Sequence, residues 1–246
     1  MTAGLVVRSC TEIAEFHACV ALQREIWGEA DLEVEPSTLF VVAAHTGGQV
    51  LGAFDADKLV GYTLAVAGVR NGVPYLHSHM TGVLASYRDQ GVGRLLKLHQ
   101  REEALGRGIR LIEWTFDPLE TRNAHFNLNR LGAIARQYLP NLYGVTTSPL
   151  HRGLPTDRLV AEWVLDSPRV MTAAAVGNVE PALDAAHVTL PADLESRKAD
   201  PTGRLEDVQA QVRKEFGDWF ARGYAVVGLK RDAAGAAYVL APWSDF

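Results

Sequence analysis

Residues 75–108 read YLHSHMTGVLASYRDQGVGRLLKLHQREEALGRG. A β-rich run ends in Arg-Asp-Gln-Gly-Val-Gly, and a long amphipathic stretch starts at once. This junction constrains the fold more than any other segment. The first four N–H groups of a helix have no partner inside it, and the helix dipole makes that end positive. Gly91 and Gly93 remove the Cβ atoms that would hold a ligand away, and Arg88 and Arg94 add charge. An anion there gains roughly 0.3–1 kcal/mol from the dipole, about 2 kcal/mol in sheltered geometry. Arg88, Asp89, Gln90, Gly91, Val92 and Gly93 therefore suit a pyrophosphate, on a strand–loop–helix unit of α/β type.

Two common phosphate cradles do not fit. The dinucleotide fingerprint needs glycine or alanine where Leu96 stands, and the nucleotide P-loop needs Lys followed by Ser or Thr. Leu96 thus argues against an NAD-dependent oxidoreductase. A strand-to-helix turn that merely needs glycine stays open on these six residues alone. The chain of 246 residues, 48% hydrophobic and 22% charged, has the composition of a soluble globular protein. A formal net charge of −5 gives no basic footprint for nucleic acid. The apolar run TLFVVAA is far too short to span a bilayer, so no membrane partner is expected. Cys10 and Cys19 read as free thiols, too few for a disulfide framework. The N-terminus lacks the pattern of a signal peptide, and a cytoplasmic location is the expectation.

The pattern along the chain alternates strands and helices. Leu5–Arg8 reads as a strand, Thr11 as a helix N-cap, and Pro36 as the start of a second helix. VLGAFDADKLVGYTLAVAGV reads as a hairpin, RNGVP as an Asn-Gly turn, and 75–84 as the next strand. A helix over 91–107 follows, then the strand IRLIEWTF, a helix ending at Gly132, and the strands AIARQYL and DRLVAEWVL. After Ser167-Pro168 the alanine-rich stretch VMTAAAVGNVEPALDAA reads as a linker or a loosely packed crossing segment. A β-α-β-β extension closes the chain, so the expected division is 1–168 and 169–246. Three roles stay open for the last helix with Trp219 and Phe220: core packing, a lid on the acceptor site, or a homodimer contact.

Arg-x-x-Gly-x-Gly between a strand and a long helix resembles the coenzyme A loop of the GNAT superfamily of N-acetyltransferases. The order of elements agrees, and NAHFNLNRLG, residues 123–132, resembles that family's helix beside the pantetheine arm. The resemblance covers roughly residues 5–165. It implies a mixed, mostly antiparallel central sheet flanked by helices. It implies acetyl-CoA, or another acyl-CoA, as co-substrate; no metal is expected, because no Cys or His cluster supplies the further ligands by spacing. The amides of Asp89 to Arg94 would hold the pyrophosphate, and the backbone of Thr81, Gly82 and Val83 the pantetheine. Gly82 would mark a strand bulge, an N–H near Val83 would face the thioester oxygen, and Asn123 would lie beside the cofactor arm.

His77 and His79 share a face of their strand because side chains alternate. A histidine titrates near pH ~6.5 and accepts a proton at neutral pH, as attack by an ammonium substrate requires. The pair also resembles the paired strand histidines of arylalkylamine N-acetyltransferases, which implies a proton relay. A polar, half-exposed strand face and two metal ligands are the competing readings. Leu128 stands where the family often has the tyrosine acid, and Thr121 where it commonly has asparagine; Tyr138 or Tyr143 would have to substitute for the acid. Arg158, in GLPTDRLVAEW, could pair in the open with Asp157 or grip a carboxylate of the acceptor or acyl group. The expected function is acyl transfer from acyl-CoA to a small amine, an amino acid included, by direct attack in a ternary complex. The alternatives are a non-catalytic CoA-binding module and a succinyl-CoA-using amino-acid N-acyltransferase.

Overall fold

The computed structural model describes residues 4–28, 34–144, 153–181, 186–200, 202–232 and 235–242. It divides into two compact units, Met1–Glu113 and Trp114–Phe246. Residues 169–246 share the second unit with residues 114–168.

In the first unit, β1 (Leu5–Ser9), β2 (Gln49–Asp55), β3 (Lys58–Arg70) and β4 (Val73–Val83) pair antiparallel in that order. Local chemistry makes the hairpins. Asn71 and Gly72, with φ 53° and 79°, form the left-handed pair that a two-residue turn between twisted strands needs. Helix α1 (Ile13–Trp27) starts one residue later than Thr11 predicts. Glu12 is its N-cap, in a reciprocal capping box with Glu15. Helix α2 (Ser37–His45) follows Pro36 as expected. On β3 the side chains of Tyr62 and Ala65 point to opposite faces, and the helices divide accordingly. Opposite Tyr62, Gly82 lies against Ile26 and Trp27 of α1; opposite Ala65, Ser78 bonds Lys97 of α3 (Val92–Gly106). One core of Phe16, Cys19, Phe40, Leu51, Tyr62, Leu64, Val92 and Leu96 fills this unit.

Strand β5 (Leu111–Phe116) carries the division between the units. Its first residues pair parallel with β4 at Leu76↔Ile112 and His77↔Glu113. The second unit holds α4 (Thr121–His125), β6 (Ile134–Leu139) and β7 (Arg158–Val164), then α5 (Pro168–Val176), β8 (Ala186–Leu190), α6 (Leu194–Ala199), α7 (Leu205–Ala221), β9 (Tyr224–Asp232) and β10 (Gly235–Pro242). Its strands run in the order β7-β6-β9-β10-β8, and β9 pairs antiparallel with β6 through Ala135↔Val226. The extension thus adds strands beside β6.

The alanine-rich stretch corrects the linker expectation. Residues 168–176 are helix α5. Ser167 caps it by accepting from the Val170 N–H, Pro168 supplies the first turn, and Gly177 ends it in left-handed conformation. Residues 182–185 of that stretch lie outside the described residues.

Past α4 the helix widens into a π-turn over Phe126–Arg130, closed by Leu131 N–H to Phe126 O. The extension satisfies it. The Arg169 guanidinium donates to Leu128 O at 2.9 Å and to Val227 O, the Val179 N–H donates to Asn129 O, and the Leu229 N–H donates to the Asn129 side chain at 2.9 Å.

Candidate active site

The proposed cradle begins where β4 ends. A short 3-10 turn, Ala85–Tyr87, leads to Arg88, whose Nε donates to Val83 O at 3.2 Å. Asp89 and Gly91 both take positive φ, 62° and 83°, and Gly91 is the N-cap of α3. Glycine offers no side chain to accept from the first-turn amides, and α3 has no side-chain cap. A Cβ built at Gly91 meets nothing within 4 Å, so no neighbour crowds the N-cap itself. Val92 and Leu96 are buried in the core and anchor the helix below the loop. These features fit a pyrophosphate bound at a helix N-terminus.

The bulge of β4 is not where the sequence suggests. Gly82 pairs in regular register with Tyr62. It is glycine because a Cβ there would come within 2.8 Å of Ile26 and 2.9 Å of Trp27. The register instead shifts between Leu64↔Met80 and Ala65↔Ser78, so His79 is the extra residue. Even so, the two imidazoles stay close, with ring centroids 6.3 Å apart. Among the described residues, the pairs between β4 and β5 are Leu76↔Ile112 and His77↔Glu113, ahead of Thr81, Gly82 and Val83 in β4.

The two histidines differ in environment. Burial lowers the His77 pKa below its ordinary value, and the charges of His79 and Lys97 lower it further, so the ring is neutral at pH 7. His79 is about one-third exposed, and its Nε2 lies 2.8 Å from Glu35 Oε1. Between them Ser78 turns inward and accepts from Lys97 Nζ at 2.8 Å. Lys97 also donates to Gln100 Oε1 at 2.9 Å, and burial pulls its pKa to about 7. Sequence reasoning missed both Glu35 and Lys97. Glu35 lies 44 positions from His79, and no local pattern links them. Lys97 had a signal, since it falls on the same helix face as the buried Gln100 and Ala104.

The remaining expected residues lie in the second unit. Asn123 is exposed on α4. Leu128, at the position of the family's tyrosine, is wholly buried core. The Tyr138 hydroxyl donates to Asp157 Oδ2 at 2.6 Å. Burial and that carboxylate push its pKa far up, so it is a poor proton donor to anything else. Asp157 also takes both ends of the Arg213 guanidinium, at 2.8 and 2.9 Å. The exposed Asp157–Arg158 pair considered from sequence is therefore not what forms. Arg158 donates to Asp157 O at 3.0 Å, lies 3.9 Å from Asp117 and sits over the Tyr143 ring. Cys10 and Cys19 are free, buried thiols. Among the described residues no group of three or more His, Cys, Asp or Glu side chains could hold a metal ion, and no helix is long and apolar enough to cross a membrane.

Comparison with known proteins agrees with this layout. Residues 15–132 match the Acetyltransferase (GNAT) family. Among curated proteins no sequence matches this one. The ribosomal-protein-S18-alanine N-acetyltransferase of Escherichia coli is a similar solved structure, with TM-score 0.52 and 15% identity, covering 66% of this chain and 95% of that one. Arabidopsis thaliana Naa50, solved with the bisubstrate analogue CoA-Ac-MVNAL, gives TM-score 0.53 and 15% identity over 65% of this chain and 97% of that one. The yncA protein of Salmonella typhimurium, solved with its cofactor acetyl-CoA, gives 0.52 and 16% over 67% and 95%. The fold, an α/β arrangement of mostly antiparallel strands flanked by helices, is the GNAT fold, and residues 15–132 carry the match to the GNAT acetyltransferase family.

Proposed function

We propose that this protein moves an acyl group, most simply acetyl, from acyl-coenzyme A to a small amine by direct attack within a ternary complex. One observation carries the reading. The side-chain-free start of α3 at Gly91 follows the bulge of β4 at His79 by twelve positions, in one unit and on regular elements. Solved relatives of the same fold that hold acetyl-CoA or a CoA analogue support the co-substrate.

In this reading the amides at the start of α3 hold the pyrophosphate. The edge of β4 at Thr81, Gly82 and Val83 pairs with the amide-bearing pantetheine arm, much as an added strand would. An N–H near Val83 faces the thioester oxygen and stabilises the charge that develops there. His77 and His79 take a proton from the ammonium, directly or through water. The freed amine nitrogen bonds to the carbonyl carbon, the carbon–sulfur bond breaks, and the sulfur leaves as the thiol after gaining a proton. The balance is one amide, one free thiol and one proton released per turnover. Buried Cys10 and Cys19 belong to the core and offer no covalent carrier to this step.

The test is thiol release from acetyl-CoA and succinyl-CoA against a panel of arylalkylamines, amino acids and short peptides. Release that needs both substrates is expected. Thermal protection by CoA with no turnover on any amine would replace the enzyme reading with a CoA-binding module.

A further inference from the structure

Gln23 lies on α1 with no exposed surface, and both ends of its side-chain amide are spent on one residue. Its Nε2 donates to Glu35 O at 3.0 Å, and its Oε1 accepts from Glu35 N at 2.9 Å. This is the bonding a strand neighbour would give, supplied by a side chain. It pins the backbone of Glu35 just before Pro36, which is itself fixed at the entry to α2. From there the Glu35 carboxylate reaches His79 Nε2 at 2.8 Å. Both side chains are about one-third exposed, and an ion pair that open to water adds little stability. A buried glutamine committed to holding it in place therefore points to a use other than stability.

We infer that Glu35 is a positioning residue for His79, held by Gln23, and that it fixes Nδ1 as the nitrogen that accepts the substrate proton. A carboxylate only accepts hydrogen bonds, so the proton between the two groups belongs to Nε2. The lone pair of the neutral ring is then on Nδ1. When Nδ1 takes a proton from the ammonium, the imidazolium keeps its bond to Glu35 and the pair gains charge attraction. The bulge at His79 lifts this ring out of the regular pleat, so its orientation is not set by the sheet and has to be set by a partner. The acceptor class that follows is an amine arriving as a cation.

The proton-acceptor role rests on the acyl-transfer reading, so the test has two arms. The first uses proton and nitrogen NMR of the imidazoles and needs no activity. The Nε2–H signal of His79 is expected to be shifted downfield and protected from exchange, and to lose both properties in Glu35→Ala and in Gln23→Ala. An Nε2–H signal unchanged in Glu35→Ala overturns the inference. The second arm is kinetic. Glu35→Gln and Glu35→Ala are expected to lower kcat about 10–100-fold, part of the ~10²–10⁴ that a placed base supplies, with KM for acyl-CoA unchanged. In a His79→Ala background the same substitutions should cost nothing further. An equal loss in that background would mean that Glu35 acts on the amine itself, and would overturn the positioning role. Failure of every amine to turn over defeats the proposed function, while the NMR arm still decides the Glu35–His79 bond.

Discussion

Replacing Lys97 by methionine gives a stability effect whose size and pH dependence both follow from the structure. Lys97 is 3% exposed, and burial pulls its pKa from 10.5 to about 7. The unfolded chain keeps the ordinary value. Between pH 7 and 10.5 the unfolded state therefore binds more protons than the folded one, and wild-type stability rises with pH. Below pH 7 both states are protonated, and the full penalty for burying charge applies. A 3.5-unit shift corresponds to about 5 kcal/mol at most, at 1.36 kcal/mol per unit. Methionine is of similar length and does not titrate. The stability of Lys97→Met minus that of the wild type should be greatest at pH 6 and fall by about 2–3 kcal/mol by pH 9. Loss of the bonds to Ser78 and Gln100 offsets the gain by an amount that does not vary with pH, so the slope is the diagnostic. Guanidinium unfolding of both proteins at pH 6, 7, 8 and 9 measures it. Unfolding free energies that stay parallel across that range would refute a buried amine titrating near neutrality.

Gly91→Glu puts a side chain on a residue at φ 83° and a negative charge at the start of α3; CoA affinity should fall at least about tenfold with the far-UV spectrum unchanged, by calorimetric titration. The His77→Ala, His79→Ala double variant should lose about 10²–10⁴ in kcat/KM at pH 7, with partial recovery at high pH, where the amine arrives already deprotonated; an unchanged pH–rate profile would remove the pair from the mechanism. Because burial holds the His77 pKa low, its loss by protonation should begin only below the ordinary histidine range. Asp157→Ala leaves the Tyr138 hydroxyl without its acceptor and Arg213 without its partner; a loss of about 3 kcal/mol is expected from urea unfolding, and a variant as stable as wild type would contradict the network.

What the sequence makes legible here is what is local. The loop at 88–94, the Asn71-Gly72 turn and the α7 stripe at Leu205, Val208, Val212 and Phe216 each depend on residues within one or two turns of each other. His79 becomes a bulge through its register against β3, which two strands decide together, and no residue at 78–80 marks it. The Glu35–His79 and Asp157–Arg213 pairs join residues 44 and 56 positions apart, so only the folded chain brings them together. Helix α5 was legible after all: Ser167-Pro168 and Gly177 are start and stop signals, outweighed in the linker reading by a run of alanines without apolar period.

The π-turn at Phe126–Arg130 bears on how the chain can be cut. The family match ends at Gly132, yet the carbonyls of Leu128 and Asn129 are satisfied by donors at Arg169 and Val179, and the Asn129 side chain by the amide of Leu229. A shortened version ending at residue 168 would take those donors away and strand the acceptors at the end of α4. The last third of the molecule is therefore better understood as a brace for the π-turn at the end of the matched region than as an attachment, and a graft of residues 15–132 into another protein would have to carry it along.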